Sequence, residues 1–426
     1  MDNARLEAAV QKCITVIDEI VTLQLNIIIQ YPDFKALESL WAGCAHLVES
    51  CPAMAPVVIR FMDMSWKEIE DDLTLNATIE DSHLYRLINR SELSTLGGSP
   101  FGLMIVEHTI SVVNKTVDLS DDIYTIELLS ELGQSSLCPM VMPASHDFLA
   151  TDKKSIWEDI SGVQRILDSD DYKPWRKFQS SEPSRFFGLT IPRVLLRHPR
   201  NKTQNNINFN ETSYYYPDSH FLWGSSALIF AESVIKEFNR IHWFGFLRAA
   251  DKFGGATVKS IKGVPIATSI RITDELEKFY TEQGFIPLST SYLTNDLMFN
   301  NNRSAHLSGN DQNDDKVLLM LQTILMGCRF AHYLKALIRE HIGSYRSAQD
   351  CQKDLNAWLQ TYTSELGFAD DSTLAKYPLK YSKVEVTGNH DLGIYQCEVE
   401  IQPQYQFDSL EATLCFKASH GDYLRF

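Results

Sequence analysis

The sequence lacks the short patterns that mark the common catalytic and metal sites. Its 426 residues contain neither a His-Glu-x-x-His spacing nor a Gly-x-Ser-x-Gly elbow, so a zinc protease and a serine hydrolase are both disfavoured. The segment 253–260 ends in Lys-Ser as a phosphate-binding loop does, but Val258 stands where that loop needs a glycine. The glycine-rich residues 97–102 precede a strand pattern, whereas a dinucleotide-binding loop follows one. We therefore expect no catalytic residue, no metal and no cofactor.

Four further absences limit the cellular environment and the partners that the sequence allows. The eight cysteines never form a Cys-x-x-Cys pair, which favours isolated buried thiols in a reducing cytosol over disulfides or zinc. No apolar run approaches the ~20 residues that a membrane helix needs, and no signal peptide is recognisable. A net charge of -16 without a basic stripe disfavours contact with phosphate backbones. We expect a cytoplasmic protein that neither binds nucleic acid nor inserts into a membrane.

Two consecutive apolar helices are predicted at the N-terminus. Residues 5–30 carry apolar side chains at helical spacing, and Pro32 ends this helix and opens the next one. An apolar helix at the end of a chain needs a surface to lie on. The pattern leaves two alternatives open, which are packing on the chain's own core and pairing with a helix of another chain. For the second alternative the partner-binding residues are Ile17, Ile20, Ile27 and Ile28.

The middle of the chain alternates between strand and helix patterns, which indicates an α/β region. A helix predicted between two strands favours a parallel crossover, and Ser65 with Glu68 forms a capping box at the start of another helix. Stretches rich in Asn, Asp and Ser are predicted to be exposed loops. The predicted strands are 57–62, 103–108 and 139–142, the helices 121–137, 155–167, 223–238 and 272–283, and the loops 201–213 and 294–315.

The longest predicted helix spans residues 314–342. Asp314 and Asp315 offer caps at its start, and Gly343 is a natural stop. Its first half is apolar around the whole circumference, which predicts burial. Its second half is expected to contribute to the structural core through Arg329, Phe330, His332, Tyr333 and Leu334. A second helix is expected after a capping box at residues 347–350.

The C-terminal tail is predicted to form strands that are half buried. After a strand at 384–386, two runs alternate between apolar and polar residues, as a strand with one covered face does. Two or three strands alone make a marginal sheet, and the open edge of a sheet is a place where another chain can add a strand. The residues expected to take part in such an interlock are Tyr395, Cys397, Val399, Ile401, Leu410, Ala412, Leu414 and Phe416.

Several stretches in order resemble the large subunit of the contractile sheath of bacterial type VI secretion systems, the TssC/VipB family. The likeness spans nearly the whole chain, and Arg329-Phe-Ala-His-Tyr-Leu-Lys335, continuing to Ile342-Gly343, resembles that family's long-helix motif. The other motifs are Phe34-x-x-Leu37-Glu38-x-x-Trp41, Gly97-Gly-Ser-Pro-Phe-Gly102, Trp175 with Gly188-Leu-Thr-Ile-Pro-Arg193-Val-Leu-Leu-Arg197, Leu222-Trp223 with Ala227, Gly254-Gly255, Gly284-Phe-Ile-Pro-Leu288 and Tyr377-Pro-Leu379.

The resemblance implies a structural protein and no enzyme. It implies a multi-domain α/β (mixed α+β) sheath fold, with a long central helix packed on a C-terminal mixed sheet that partner strands complete. The expected domains are an N-terminal helical arm (1–50), an outer α/β region (51–310) and an inner, polymerising region (311–426). The implied partners are a small TssB-like subunit, neighbouring protomers, an Hcp-like inner tube and the baseplate. A ClpV-type ATPase would act mainly through the small subunit.

Two alternatives to the sheath interpretation remain at the level of sequence. The first is an α/β enzyme with a site near the Gly97 or Gly254 turn, because catalytic groups can converge from distant positions. The second is a stand-alone scaffold protein.

Overall fold

The computed structural model describes residues 2–112, 122–150, 153–204, 207–211, 221–244, 247, 267–290, 297–307, 319–340, 348–364, 377–389, 394–403, 414–419 and 422–425. At 2–3, 201–204, 207–208, 340, 388–389, 394–396, 414–419 and 422–425 it describes the backbone alone. The fold mixes helices and sheets, as the sequence predicts.

The chain begins with two helices that form an arm. Helix α1 (Asp2–Ile29) and helix α2 (Pro32–Ser50) are bent by 74° at their junction. Pro32 lies in the first turn of α2, where its missing N–H has no helical partner to lose, and the predicted boundary is confirmed. No single helix among the described residues is long and apolar enough to cross a membrane; α1 and α2 meet that criterion only together, as a bent pair and by length and composition alone.

The body is built on a four-stranded parallel sheet. Its spatial order is β1 (Met104–Ile105), β2 (Met140–Pro143), β3 (Phe187–Ile191) and β8 (Phe285–Pro287). Every residue of β2 and β3 is buried, as expected for parallel strands that are covered on both faces. Helix α5 (Asp122–Ser136) connects β1 to β2, so the predicted parallel crossover is confirmed.

The helices of this region surround the sheet. They are α3 (Trp66–Thr74), α4 (His83–Tyr85, continued as a π-helix over Arg86–Leu93), α5 (Asp122–Ser136), α6 (Lys154–Trp157), α7 (Ile160–Leu167), α8 (Lys173–Gln179), α9 (Ser226–Ile241) and α10 (Asp274–Glu282). Short 3₁₀ turns lie at Ile79–Asp81, Asp170–Tyr172 and Glu182–Phe186.

Three small antiparallel pairs complete the body. Strand β4 (Val194–Arg197) pairs with β7 (Leu222–Gly224), and β9 (Ser289–Thr290) pairs with β10 (Leu297–Met298). Strands β5 (Asn201–Gln204) and β6 (Ile207–Asn210) form a hairpin. This hairpin was expected to be a loop, because its composition is rich in Asn; the regular pairing of four residues on each side corrects that prediction.

The C-terminal part packs two helices against a second sheet. Helices α11 (Leu321–Glu340) and α12 (Ala348–Gln360) precede strands β11 (Leu379–Asn389), β12 (Ile394–Pro403), β13 (Leu414–Ser419) and β14 (Asp422–Arg425). The strands lie in the order β11-β12-β13-β14 and pair antiparallel. The sheet was expected to be mixed, and its parallel element is an isolated bridge between Thr363 and Leu379.

Four predicted elements differ from the structure within the body. Residues 57–62 were expected to be a strand but form none, because no described residue pairs with them. The helix expected at 155–167 is split, since the Asp159 side chain caps a new helix by accepting from the Ser161 N–H. The helix expected at 223–238 begins at Ser226, after β7. The helix expected at 272–283 begins after its Thr273 cap and ends before Gly284, whose φ is 83°.

The loop expected at 294–315 is also wrong in its described part. Residues 299 and 302–306 are buried or nearly so, because the chain here hydrogen-bonds to the body. The Ala305 N–H donates to the Phe187 carbonyl over 2.8 Å, and the Leu307 N–H donates to the Gln179 carbonyl over 2.9 Å. Two of the asparagines that suggested an exposed loop are hydrogen-bonded to other side chains of the protein, since the Asn300 amide donates to Glu277 and the Asn302 amide donates to Gln322.

The long helix starts later than its sequence predicts. Residues 319–320 form a turn and a bridge, and α11 begins at Leu321. Its first two N–H groups donate to Asn302, from Leu321 to the backbone carbonyl (2.7 Å) and from Gln322 to the side-chain oxygen (3.2 Å). A cap supplied by a distant segment replaces the expected caps Asp314 and Asp315, which lie outside the described residues together with Gly343.

Candidate subunit interfaces

Helix α1 exposes an apolar stripe. The exposed fractions are 58% for Ile17, 51% for Ile20, 72% for Ile27 and 55% for Ile28. At 100° per residue these four side chains fall within an arc of about 100° on the helix. Leu6 and Val10, exposed by 65% and 51%, fall in the same arc. The stripe is therefore an amphipathic face that no described residue of this chain covers.

The face of α1 that contacts the body lies opposite this stripe. Asn26 and Ile29 are its buried residues, and by helical geometry each lies about 150° around the helix from the centre of the stripe. The Asn26 side-chain amide donates to the Asn210 carbonyl in β6 over 3.1 Å. Packing of the apolar stripe on the chain's own core, one of the two alternatives from the sequence, is therefore not found among the described residues.

An ion-pair network fixes the base of the arm. Arg197 in β4 contacts Glu38 of α2 through two nitrogens, at 2.7 and 2.8 Å, and Glu211 after β6 at 2.8 Å. Arg200 adds a contact to Glu38, and Gln30 donates to Glu211. Burial opposes ionisation of Glu38, but the hydrogen bond and charge of Arg197 outweigh it and hold the pKa of Glu38 below its usual range. The network joins both arm helices to the body and sets the direction of the arm.

The connection from α2 to α3 extends this apolar surface. Val57 and Ile59 pack against the body, while Met54, Val58, Phe61 and Met62 are exposed. Their neighbour Arg60 pairs with Glu92 at 2.6 Å. Large exposed apolar side chains in one continuous segment are typical of an interaction surface.

The predicted interlock residues lie in two different settings. Cys397, Val399 and Ile401 are buried in the chain's own core, beneath α11 and α12, and burial raises the pKa of the Cys397 thiol to about 12. Because β11 and β13 pair with β12 on its two sides, any contact of β12 with a partner would use its other face. Tyr395, Leu414 and Phe416 belong to strands β12 and β13; Leu410 and Ala412 lie outside the described residues.

Side-chain amides of α12 cover the outer edge of β11. Asn356 accepts a hydrogen bond from the Val384 N–H (3.0 Å) and donates to the Val384 carbonyl (3.3 Å). Gln352 accepts from the Val386 N–H at 3.3 Å. The sequence gives no indication of this contact, because amides at partly exposed helical positions are common.

The predicted core of α11 is a cluster of stacked side chains. The Arg329 guanidinium lies 4.5 Å from the Phe238 ring centroid and 4.9 Å from that of Tyr333, whose hydroxyl it contacts at 2.6 Å. Phe330 stacks on Trp243 at 4.5 Å, and both Phe330 and Leu334 are buried as expected. Tyr333 was expected in the core, but it lies at the rim of the cluster, where 41% of the residue is exposed.

His332 is held neutral inside the protein. Burial lowers its pKa to about 4, although hydrogen bonds to the Ser136 and Leu137 backbone act in the opposite direction. The cations of Arg329 and Lys335 add to the lowering. A neutral histidine bonded to backbone agrees with the structural role that the sequence predicts.

The turn at Gly97, where the sequence left room for an enzyme site, is packed against its own backbone. Gly97 has a φ of 80°, and the side chain of Glu92 accepts from the Ser99 N–H. Gly98 lies so close to the Glu92 carbonyl that a Cβ would collide with it. Gly254 lies outside the described residues.

Two family models match the chain one after the other. The VipB model, described as EvpB/VC_A0108, tail sheath N-terminal domain, matches residues 11–306. The VipB_2 model, described as EvpB/VC_A0108, tail sheath gpW/gp25-like domain, matches residues 310–419. These matches define the class as tail sheath proteins, which are structural and not an enzyme family. The chain belongs to the VipB family, and the TssC/VipB resemblance seen in the sequence is confirmed.

The type VI secretion system sheath protein TssC1 of Pseudomonas aeruginosa is 25% identical to this chain over 437 residues. That alignment covers 95% of this chain and 84% of the relative. Together with the family matches it identifies a structural subunit of a type VI secretion sheath.

Two solved structures resemble the fold more distantly. A sheath tail protein from Desulfitobacterium hafniense is 9% identical, with a TM-score of 0.35, over 72% of this chain and 62% of that one. A chain of the anti-feeding prophage baseplate is 8% identical, with a TM-score of 0.36, over 84% of this chain and 97% of that one. At such TM-scores neither likeness supports a functional argument.

Proposed function

We propose that this protein is the large subunit of a contractile sheath that pairs with a small TssB-like subunit and polymerises around an Hcp-like inner tube. The observation that carries the proposal is the apolar stripe of α1, which points away from the body on an arm whose base is fixed by Arg197. A protein that worked alone would gain nothing from exposing this stripe to water.

The energetics of the stripe favour a helix of another chain as its cover. Full burial of an isoleucine side chain contributes about 1.5–3 kcal/mol. The four residues Ile17, Ile20, Ile27 and Ile28 therefore offer several kcal/mol to a helix that packs along α1, before the cost of association is subtracted. The repeat of the stripe suits the helix-in-groove or paired-helix mode of recognition.

The proposed division of labour follows three regions. Residues 1–50 act as the arm that packs on the small subunit, 51–310 form the outer part of the sheath, and 311–426 form the inner part that polymerises. In the inner part, strands of neighbouring protomers extend the C-terminal sheet. Main-chain pairing of this kind joins subunits without depending on a particular side-chain sequence.

Contraction in this proposal requires no covalent chemistry, cofactor or enzymatic activity. The protomer has two packings in the lattice, extended and contracted, whose free energies differ by a few kcal/mol. Strand pairing keeps the lattice joined while domains rotate as rigid bodies. The polymer works in the bacterial cytosol, starts at a baseplate on the envelope and is taken apart by a ClpV-type ATPase, mainly through the small subunit.

Co-expression with the small sheath subunit tests this function. We expect the two chains to co-purify and to form hollow tubes in negative-stain electron micrographs. A chain that purifies as a monomer and forms neither a complex nor tubes with the small subunit would refute the proposal. The stand-alone scaffold and the enzyme are the interpretations that such a result would favour.

A further inference from the structure

The C-terminal sheet has two edges, and side chains of helix α12 hydrogen-bond to one of them. Strand β11 forms one edge, and its partner β12 occupies its inner side. In an antiparallel pair, every second residue directs its N–H and C=O away from the partner strand. On an open edge these groups would be free to bind a strand of another chain.

Asn356 takes the place of a neighbouring peptide group at one of these positions, Val384. Its side-chain oxygen accepts from the Val384 N–H, and its side-chain nitrogen donates to the Val384 carbonyl. An asparagine side chain carries the same donor and acceptor as a backbone amide. Helix α12 therefore satisfies both outward groups of Val384, as an added strand would.

The contacts continue on both sides of Val384. Gln352, one turn earlier on α12, accepts from the Val386 N–H. Toward the start of β11, the Leu379 N–H donates to the Tyr362 carbonyl, and the Ser364 N–H donates to the Leu379 carbonyl. Between them the hydroxyls of Thr363 and Ser382 bond at 3.0 Å. The outer edge of β11 is thus occupied from residue 379 to residue 386 by α12 and the residues that follow it.

We propose that Asn356 and Gln352 close the β11 edge, so that another sheath chain can add a strand to this sheet only at the opposite edge, beyond β14. The inference rests on the proposed function and gives it a direction: each protomer can be extended on one side of its C-terminal sheet. One closed edge prevents a second, wrongly placed strand from competing during polymerisation. It also prevents two free copies from pairing through β11.

The exposed face of β11 agrees with this assignment. Lys383 and Glu385 point to solvent and pair with each other at 2.6 Å. Charged residues on an edge strand disfavour pairing with another chain. The side chains and the helix therefore act against strand addition at the same edge.

The test compares a guard variant, Asn356→Ala with Gln352→Ala, against a control on the exposed face of the same helix, Lys353→Ala with Asp354→Ala. Each double variant is purified as the full chain and in complex with the small sheath subunit. Hydrogen exchange is followed by mass spectrometry in peptides that cover 379–389 and 414–425, before and after sheath assembly. Self-association of the free chain is measured by sedimentation.

The expected results separate the two edges. In the unmodified protein, residues 379–389 should exchange at the same slow rate in the free complex and in the sheath, while 414–425 should be protected on assembly. Loss of a hydrogen bond worth about 1 kcal/mol should make exchange in 379–389 about fivefold faster in the guard variant. The guard variant should also self-associate. The control variant should show neither faster exchange in 379–389 nor self-association. A single variant, Asn356→Asp, keeps the acceptor and should have a smaller effect.

Two outcomes would overturn the inference. One is new protection of 379–389 on assembly, with none at 414–425. The other is a guard variant that exchanges and sediments like the control. If the unmodified chain forms no tubes, the proposed function fails. Closure of the β11 edge by Asn356 and Gln352 is then tested by hydrogen exchange and self-association of the free chain.

Discussion

Arg197 and Glu38 form a two-point ion pair, with Nε 2.7 Å from Oε1 and Nη2 2.8 Å from Oε2. The pair joins β4 in the body to α2 in the arm. The same guanidinium holds Glu211, whose side chain is fully buried. A planar guanidinium can bind two carboxylates in this way, whereas a lysine ammonium cannot reproduce the geometry.

Replacing Arg197 should destabilise the protein and release the arm. Arg197→Ala leaves the buried Glu211 carboxylate without its cation, so we expect the free energy of unfolding to fall by about 3 kcal/mol. Urea titration measures this change. The control is Lys173→Ala, because the side chains of Lys173 and its partner Asp170 are 67% and 88% exposed, and loss of this pair should cost less than about 1 kcal/mol. Equal effects of the two variants would contradict the role of this ion-pair network in fixing the base of the arm.

His332 should contribute to the free energy of unfolding a part that rises with pH. Its pKa is about 4 in the folded protein and about 6.5 when unfolded. Between these values the unfolded state binds more protons, so stability is complete above pH 6.5 and is lost as the pH falls toward 4. The contribution amounts to about 3 kcal/mol over the whole range. In urea titrations between pH 4.5 and 6.5, His332→Gln should remove this rising contribution, so the stability of the variant should fall with pH relative to that of the unmodified protein, whereas His83→Gln, at an exposed position, should leave the profile unchanged.

Glu107 should give a slope of the opposite sign over nearly the same range. Burial raises its pKa to about 7, although a hydrogen bond with Ser225 opposes the change. The folded protein keeps a proton that the unfolded chain releases, so stability is complete below pH 4.5 and is lost as the pH rises through 7. The amount is again about 3 kcal/mol. In the unmodified protein the Glu107 and His332 contributions therefore largely cancel between pH 4.5 and 6.5.

Glu107→Gln tests this cancellation. The neutral amide removes the falling contribution, so the stability of the variant should increase with pH between 4.5 and 6.5. The exposed substitution Glu282→Gln should leave the profile of the unmodified protein unchanged. A Glu107→Gln profile with no added upward slope would show that Glu107 is ionised in the folded protein at these pH values.

The sequence predicts the helical arm well, because the signals are local. Pro32 can open a helix but cannot continue one, and the apolar spacing before it fits a helix. The start of α11 depends instead on Asn302, which is 19 residues earlier than Leu321 and bonds to it only in the folded chain. The loop predicted from composition is also wrong at β5 and β6, because backbone pairing there outweighs the loop preference of asparagine.

The candidate interfaces also include features that the local sequence predicts and features that depend on distant residues. The stripe of Ile17, Ile20, Ile27 and Ile28 is visible as a periodic pattern, and the structure adds that it faces away from the body. The pattern of Cys397, Val399 and Ile401 is equally clear, but the same alternation serves a strand that packs on its own chain. Asn356 gives no signal at all, because its role depends on the position of Val384, 28 residues away.

The last prediction concerns the stripe itself. Ile17→Asp with Ile27→Asp places two carboxylates on the face proposed to pack on the small subunit, where burial of an unpaired charge is costly. Both positions are more than half exposed in this chain, so the free energy of unfolding of the isolated chain should change by less than about 0.5 kcal/mol for each substitution. Binding to the small subunit and the formation of tubes should be lost. The control, Gln11→Asp with Thr15→Asp, adds the same charge at exposed positions on the opposite side of α1 and should preserve both. Normal tubes from the Ile17→Asp and Ile27→Asp double variant would show that the stripe is not the contact with the small subunit, because two buried carboxylates could not be tolerated there.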